Sequence, residues 1–222
     1  MIRLLAALLL AFSLLSAKAV TYKAYVLMPV DEAAKEKSFL DFRTKLLKAI
    51  EAKDAAYLSS ILAKNIAFSF GGEGDGDGPA GFRRMWNLNK HPERSKVWAE
   101  LKAVVARGGK FNEDLTSFDA PYVSAAWPSA YDSFDYSAVV EKDAIVRERA
   151  RLDAPVLQKV SYEILRVTSD WSNKPNAWST VILPNGKKGH IQNRFLQSPV
   201  GYRARFEKVG KDWKMATFIA GD

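Results

Sequence analysis

The run WSTVILPNGKKGHIQNRFL (Trp178–Leu196) decides how the second half of the chain is read. Two strand-forming stretches flank Pro184-Asn185-Gly186. Asn-Gly between such stretches signals a hairpin, because both residues tolerate the positive φ of a tight turn. Trp178 and Val181 lie three apart along the first stretch. In the second, Gly189 allows another chain segment to approach closely, as at a barrel corner. The neighbouring sequence has the same texture. AVV, AIVRERA, APVLQKV and EILRVTS precede the run, and GYRARFEKV and KDWKMATFIA follow it. Short runs broken by turn residues predict a small antiparallel barrel or sandwich.

Upstream of Ser137 the periodicity changes. After a strand-like opening (Thr21–Met28), Phe39, Phe42, Leu46 and Ile50 recur at helical spacing and predict a helix over residues 31–52, with Ser38 and Asp41 as a capping pair. Asp54 reads as the N-cap of a second helix, AAYLSSILAK. Ile66, Phe68 and Phe70 alternate as in a half-buried strand. A third helix starts from Ser95 and stops at Gly108-Gly109. Residues 111–137, rich in Pro, Ser, Asp and aromatics, read as an irregular connection. The expected fold class is α+β: a helix-rich N-terminal α+β domain (20–136), a small all-β barrel (137–199) and a C-terminal β-hairpin (200–222) turning near Gly210. That hairpin is expected to complete the sheet of the N-terminal domain, which by itself offers few strands.

The first nineteen residues, MIRLLAALLLAFSLLSAKA, carry Arg3, an apolar run from Leu4 to Leu15 and an A-x-A site at Ala17-Lys18-Ala19. This is the pattern of a signal peptide cleaved after Ala19, and it implies a periplasmic or secreted protein. The apolar run is shorter than the roughly 18 residues a spanning helix needs. The chain has no cysteine, which excludes disulfides and a lipid anchor at the cleavage point. Cleavage would leave 203 of the 222 residues with a net charge of +6. The excess is not evenly spread. Residues 20–137 hold 16 basic and 16 acidic side chains, whereas residues 138–222 hold 15 basic and 9 acidic. A lopsided charge of this kind suits an anionic partner. Nucleic acid is disfavoured, since export removes the usual encounter.

From about Ser137 to Pro199 the order of features resembles the bacterial SH3-like (SH3b) domain. Ala144-Ile145-Val146-Arg147 stands where the family has an N-V-R strand. Asp153-Ala154-Pro155-Val156-Leu157 supplies its small apolar turn, and Leu157–Val160 with Ile164–Val167 its strand pair. Trp178-Ser179-Thr180-Val181 matches its Trp-x-x-Val strand, and Asn185–Ile191 its glycine turn and last strand. Two positions depart from the pattern. Ser161-Tyr162-Glu163 replaces the usual central glycine, and His190 replaces the usual tryptophan. The N-terminal half resembles, more weakly, the α+β cone of nuclear-transport-factor-two-like proteins, whose pocket can host isomerase-like chemistry.

Catalytic signatures are sparse. There is no thiol, no G-x-S-x-G turn, no P-loop, and no metal spacing around the two histidines, His91 and His190. Glu113, Asp119, Asp132 and Asp135 lie in or near the irregular connection, with no pattern that pairs any two as acid and base. SFGGEGDGDGPAGF (Ser69–Phe82) places Glu73, Asp75, Asp77 and Gly78 in calcium-loop register, but Arg84 stands where the bidentate glutamate belongs. It reads as a glycine-permitted turn leading into a short helix, and no metal or cofactor is expected. Binding has the better argument. Arg147, Tyr162, Trp171, Trp178, His190 and Arg194 combine aromatic walls with peripheral cations, which suits a carboxylate-bearing peptide or glycan. The expected partner is peptidoglycan or a periplasmic protein. The alternative is a small-ligand or isomerase/hydrolase-like pocket in the N-terminal half, with the SH3-like module as a targeting element.

Overall fold

The computed structural model describes residues 21–71, 76–168 and 174–221. The signal-peptide reading of residues 1–19, the acidic positions Glu73 and Asp75, and Trp171 lie outside the described residues. The fold is mixed α+β. The first part contains α1 (Lys37–Ala52), α2 (Ala55–Ser60), β1 (Leu62–Ala67), α3 (Gly78–Met85), α4 (Val97–Val105), β2 (Lys110–Phe111), β3 (Ser117–Ala120) and α5 (Tyr122–Ala125). The second contains β4 (Tyr136–Val139), β5 (Ala144–Arg147), β6 (Val156–Val160), β7 (Ile164–Val167), β8 (Trp178–Ile182), β9 (Lys188–Gln192) and β10 (Leu196–Gln197). The terminal hairpin is β11 (Arg203–Val209) and β12 (Asp212–Ile219). Among the described residues, no helix is long and apolar enough to cross a membrane.

Helix α1 exists because its apolar positions fall on one face, and Phe39, Phe42, Leu46 and Ile50 are all buried. It begins later than the periodicity implied. The residues before it form a short 3-10 turn, Ala33–Lys35. Glu36 caps α1 by accepting the Phe39 amide at 2.6 Å. Ser38 is therefore not the cap. It donates to Glu36 at 2.6 Å and accepts the Trp213 indole N–H at 2.9 Å. Asp54 does cap α2, accepting from the Tyr57 amide. That helix stops at Ser60, and the strand following it starts four residues earlier than Ile66.

The five-stranded sheet runs β1-β12-β11-β3-β2. Strands β11 and β12 thus lie between β1 and β3, with β12 parallel to β1 and β11 antiparallel to β3. Phe206 faces Phe118 across that last pair, and both are buried in a core shared with α1, α3 and α4. Residues 117–125, read as irregular from the sequence, supply strand β3 and helix α5.

The other sheet runs β10-β4-β7-β8-β9-β5-β6. The expected barrel does not close: β6 and β10 are edges of one open sheet. The physical reason lies at β10. It pairs over two residues only, and Ser198-Pro199 follows, where proline has no N–H to extend a ladder. Val146, Leu165, Val181 and Ile191 are nonetheless fully buried, in a cluster drawn from these strands and the turns joining them. With no helix in that cluster, the sheet buries one face by curling on itself.

A third cluster joins the two parts. Leu27, Tyr122, Val123 and Tyr131 pack on Ala138 and Ile164, which point to the other face of β4 and β7. The opening segment is held here. The Leu27 amide donates to the Tyr162 carbonyl at 2.7 Å, the Tyr22 hydroxyl donates to the Ile182 carbonyl at 2.7 Å, and Val26 bridges Glu163. Residues 22–27 thus lie against the second sheet although they precede the first.

Candidate functional site: the outer face of strands β5, β9 and β8

Side chains alternate along each strand, so the buried residues fix which way the others point. Val146, Ile191 and Val181 face the curled core. Arg147, His190, Thr180 and Trp178 therefore occupy the opposite face. Register aligns them. Arg147 is the cross-strand partner of His190, His190 of Thr180, and Trp178 of Gln192. Gly189 makes this alignment possible: a Cβ there would sit 2.5 Å from Val146 Cγ1. The helices and the opening segment cover other surfaces. None of the three buried clusters includes Arg147, His190, Thr180 or Trp178, and all four are partly exposed.

Each member of the row is held by a local contact. Arg147 Nη1 donates to the Ala154 carbonyl at 2.7 Å, which fixes the guanidinium beside the β5–β6 connection. His190 Nδ1 lies 3.4 Å from Thr180 Oγ1. Burial lowers the His190 pKa from the usual imidazole value, and the nearby Lys188 ammonium lowers it further. At neutral pH His190 is an uncharged imidazole, able to donate from one nitrogen and accept at the other. Arg194 sits on the 3-10 turn after β9. It is exposed, its guanidinium lies 4.7 Å from the Phe195 ring centroid, and its amide donates to the Pro175 carbonyl.

Of the six residues singled out in the sequence, the structure therefore gathers Arg147, Trp178 and His190 on one face, with Arg194 at the end of β9. Tyr162 stands apart. It occupies the β6–β7 turn with φ 58°, and its carbonyl anchors Leu27. Trp171 is outside the described residues. Thr180 and Gln192 were not singled out, although the alternation around Val181 and Ile191 places both on the outer face.

The surroundings are cationic. Residues 144–194 contain nine basic and four acidic side chains. Arg151 is paired with Asp153, and Arg166 with Asp135. Arg147, Arg149, Lys159, Lys187, Lys188 and Arg194 form no ion pair among the described residues. Unpaired cations around a row of hydrogen-bonding and aromatic groups raise the local potential for anions.

The first sheet offers a contrast. In a cone-shaped α+β protein a ligand would sit between helix and sheet. Here that space is filled by Phe39, Phe111, Phe118, Phe206 and Trp213, and the Phe39–Phe118 centroids are only 4.3 Å apart. An open groove of about 490 Å³ runs outside this core between α1, α2 and the β11–β12 turn, with Lys45, Lys211 and Lys214 on its walls. Among the described residues no group of three or more His, Cys, Asp or Glu could hold a metal ion.

The class defined by these observations is an α+β protein of two sheets, one covered by helices and the other curled on itself with a basic outer face. Comparison with known proteins found no matching family model, no matching curated protein and no matching solved structure.

Proposed function

We propose that this is an exported binding protein whose SH3-like second module holds carboxylate-bearing cell-wall peptides against the outer face of β5, β9 and β8. The observation that carries the reading is the cross-strand row Arg147–His190–Thr180, flanked by Trp178, on a face that none of the buried clusters of the described residues covers. A guanidinium supplies charge-assisted bonds to a carboxylate, neutral His190 supplies a hydrogen bond to an amide, and Trp178 supplies an apolar wall. A chain exported by its signal-like first nineteen residues would meet peptidoglycan, whose stem peptides end in carboxylates, and this supports the reading. The excess of cations in the C-terminal half supports the same reading, and the aromatic filling of the first core favours a binding role over a buried catalytic pocket.

The test is retention of the purified chain, from Val20 onward, on intact peptidoglycan across a salt titration. The expected result is retention at low salt that falls as salt screens the cations, and that weakens in Arg147→Gln and Arg194→Gln. No retention at low salt would overturn the cell-wall reading. Equal retention by both variants would remove this face from it.

A further inference from the structure

A second groove, of about 320 Å³, lies on the outer face of the first sheet beside α5. Its polar members are Asp119, Ser124, Arg203, Arg205 and Thr217. The rest of the lining is alanine: Ala120, Ala125 and Ala204. The Ala120 and Ala204 side chains turn into the core, so the strands contribute backbone to the floor, and the longer outward side chains supply the walls.

The polar groups are not equally committed. Arg205 is paired in the strand register with Asp119, and its Nε and Nη2 grip the two Asp119 oxygens at 2.8 and 3.0 Å. The Ser124 hydroxyl proton is spent on the Pro199 carbonyl at 2.7 Å. Arg203 is different. Only its Nη1 is engaged, by the Gly221 carbonyl at 2.8 Å and the Val200 carbonyl at 3.4 Å. Its guanidinium carbon stands 5.9 Å from the Phe70 ring centroid. It has no carboxylate partner among the described residues, and its Nε and Nη2 donors are unassigned. The Thr217 hydroxyl has no partner among them either. Two carbonyls and a ring thus hold one cation in place while leaving free the same donor edge that Arg205 uses on Asp119.

We infer that this groove is a binding site for a small carboxylate, taken by the Nε–Nη2 edge of Arg203 with a hydrogen bond from Thr217. Arg203, Arg205 and Asp119 together carry one net positive charge, which matches a monoanion. The planar donor pair matches a carboxylate bidentately. Ala125, the partly exposed alanine of the lining, accepts a small apolar substituent such as a methyl group. The site is on the other sheet from the basic face described above and does not depend on it.

The probe is N-acetyl-alanyl-alanine, a blocked dipeptide with a free carboxylate, titrated into the isotope-labelled chain from Val20 onward and followed by amide chemical shifts. The expected result is saturable shifts at Ala120, Ala204 and Thr217, absent when the same dipeptide is C-terminally amidated. Arg203→Gln should weaken binding by about tenfold or more, through loss of the charge-assisted pair. Thr217→Val, which keeps the shape, should weaken it by a few-fold. A native amide spectrum for Arg203→Gln separates lost binding from lost fold, and Thr217→Val gives an independent reading if that variant fails to fold. Absence of saturable shifts at tens of millimolar, equal binding of the amide, or undiminished binding by a folded Arg203→Gln would each overturn the inference.

Discussion

Replacing Gly189 by alanine tests whether close approach at one glycine holds the second sheet in register. An added Cβ would lie 2.5 Å from Val146 Cγ1, 3.1 Å from Leu157 Cδ1 and 3.3 Å from the Arg147 carbonyl oxygen. The first distance is shorter than any real carbon–carbon contact, and Val146 is fully buried, so it has nowhere free to turn. Overpacking a filled core costs about 1–3 kcal/mol. Val146→Ala alone should cost about 2 kcal/mol, through lost burial and the cavity left behind. In the double variant the new methyl occupies part of the space that Val146 vacates. The cost of the double variant should therefore fall short of the sum of the two single costs by about 1 kcal/mol, within the range measured for residues in contact. Urea unfolding followed by tryptophan fluorescence gives the three free energies. Additivity within about 0.5 kcal/mol would refute the packing argument. A further consequence is specific. Because Gly189 precedes His190, whose partner is Arg147, the proposed binding face requires that Gly189→Ala also weaken any retention on peptidoglycan, even where the protein remains folded.

Three other outcomes are expected. Tyr122 is 2% exposed and its hydroxyl finds no partner among the described residues; burial pushes its pKa up to about 12 despite the nearby Arg107. Tyr122→Phe should leave the urea midpoint unchanged or raise it, by up to about 1–2 kcal/mol of stability, and a loss above about 1 kcal/mol would mean that the hydroxyl is bonded. His190 is harder to protonate folded than unfolded, so the unfolded chain binds the extra proton first. Its contribution favours the native state at neutral pH and is lost as pH falls through the ordinary imidazole value of about 6.5, levelling off below the lowered native value. His190→Gln should therefore show a smaller stability loss than the parent between pH 7.5 and pH 5, and equal losses would contradict the burial argument. Asp54→Ala removes the acceptor for the Tyr57 amide and should cost about 1 kcal/mol in the same urea assay.

How far the sequence could be read depended on whether the signal was local. The Pro184-Asn185-Gly186 turn sets the β8–β9 register by itself, with Gly186 at φ 81° and the Leu183 amide donating to the Lys187 carbonyl. From that register the shared face of Trp178 and His190 follows by alternation. The place of Tyr162 does not follow. It depends on residues 22–27 crossing to the second sheet, and nothing in their composition names the surface they meet. Strand β3 was hidden for a similar reason: Phe118 is paired by Phe206, far along the chain, and no local period reveals such a partner. The Glu36 cap was missed because Ser38 looked the better capping residue. Its hydroxyl is engaged by Trp213, another contact between distant positions. The groove at Arg203 was not legible at all, since it needs β3, α5, β11 and β12 together.

The place of the terminal hairpin in the first sheet sets an order of events. Strands β1 and β3 have no edge to share until β11 and β12 arrive, and those are made after every other strand described. The buried faces of α1, α3 and α4 wait with them, because Phe206, Trp213, Met215 and Phe218 form the other side of that core. The curled sheet, by contrast, has every strand it needs by Gln197. A chain emerging N-terminus first would thus finish its middle before its beginning, and the helical part would stay open, without a tight core, until residues 203–219 have been made. That delay makes residues 203–219 a checkpoint: a product that ends before them keeps its apolar helix faces exposed, a mark that proteases can read.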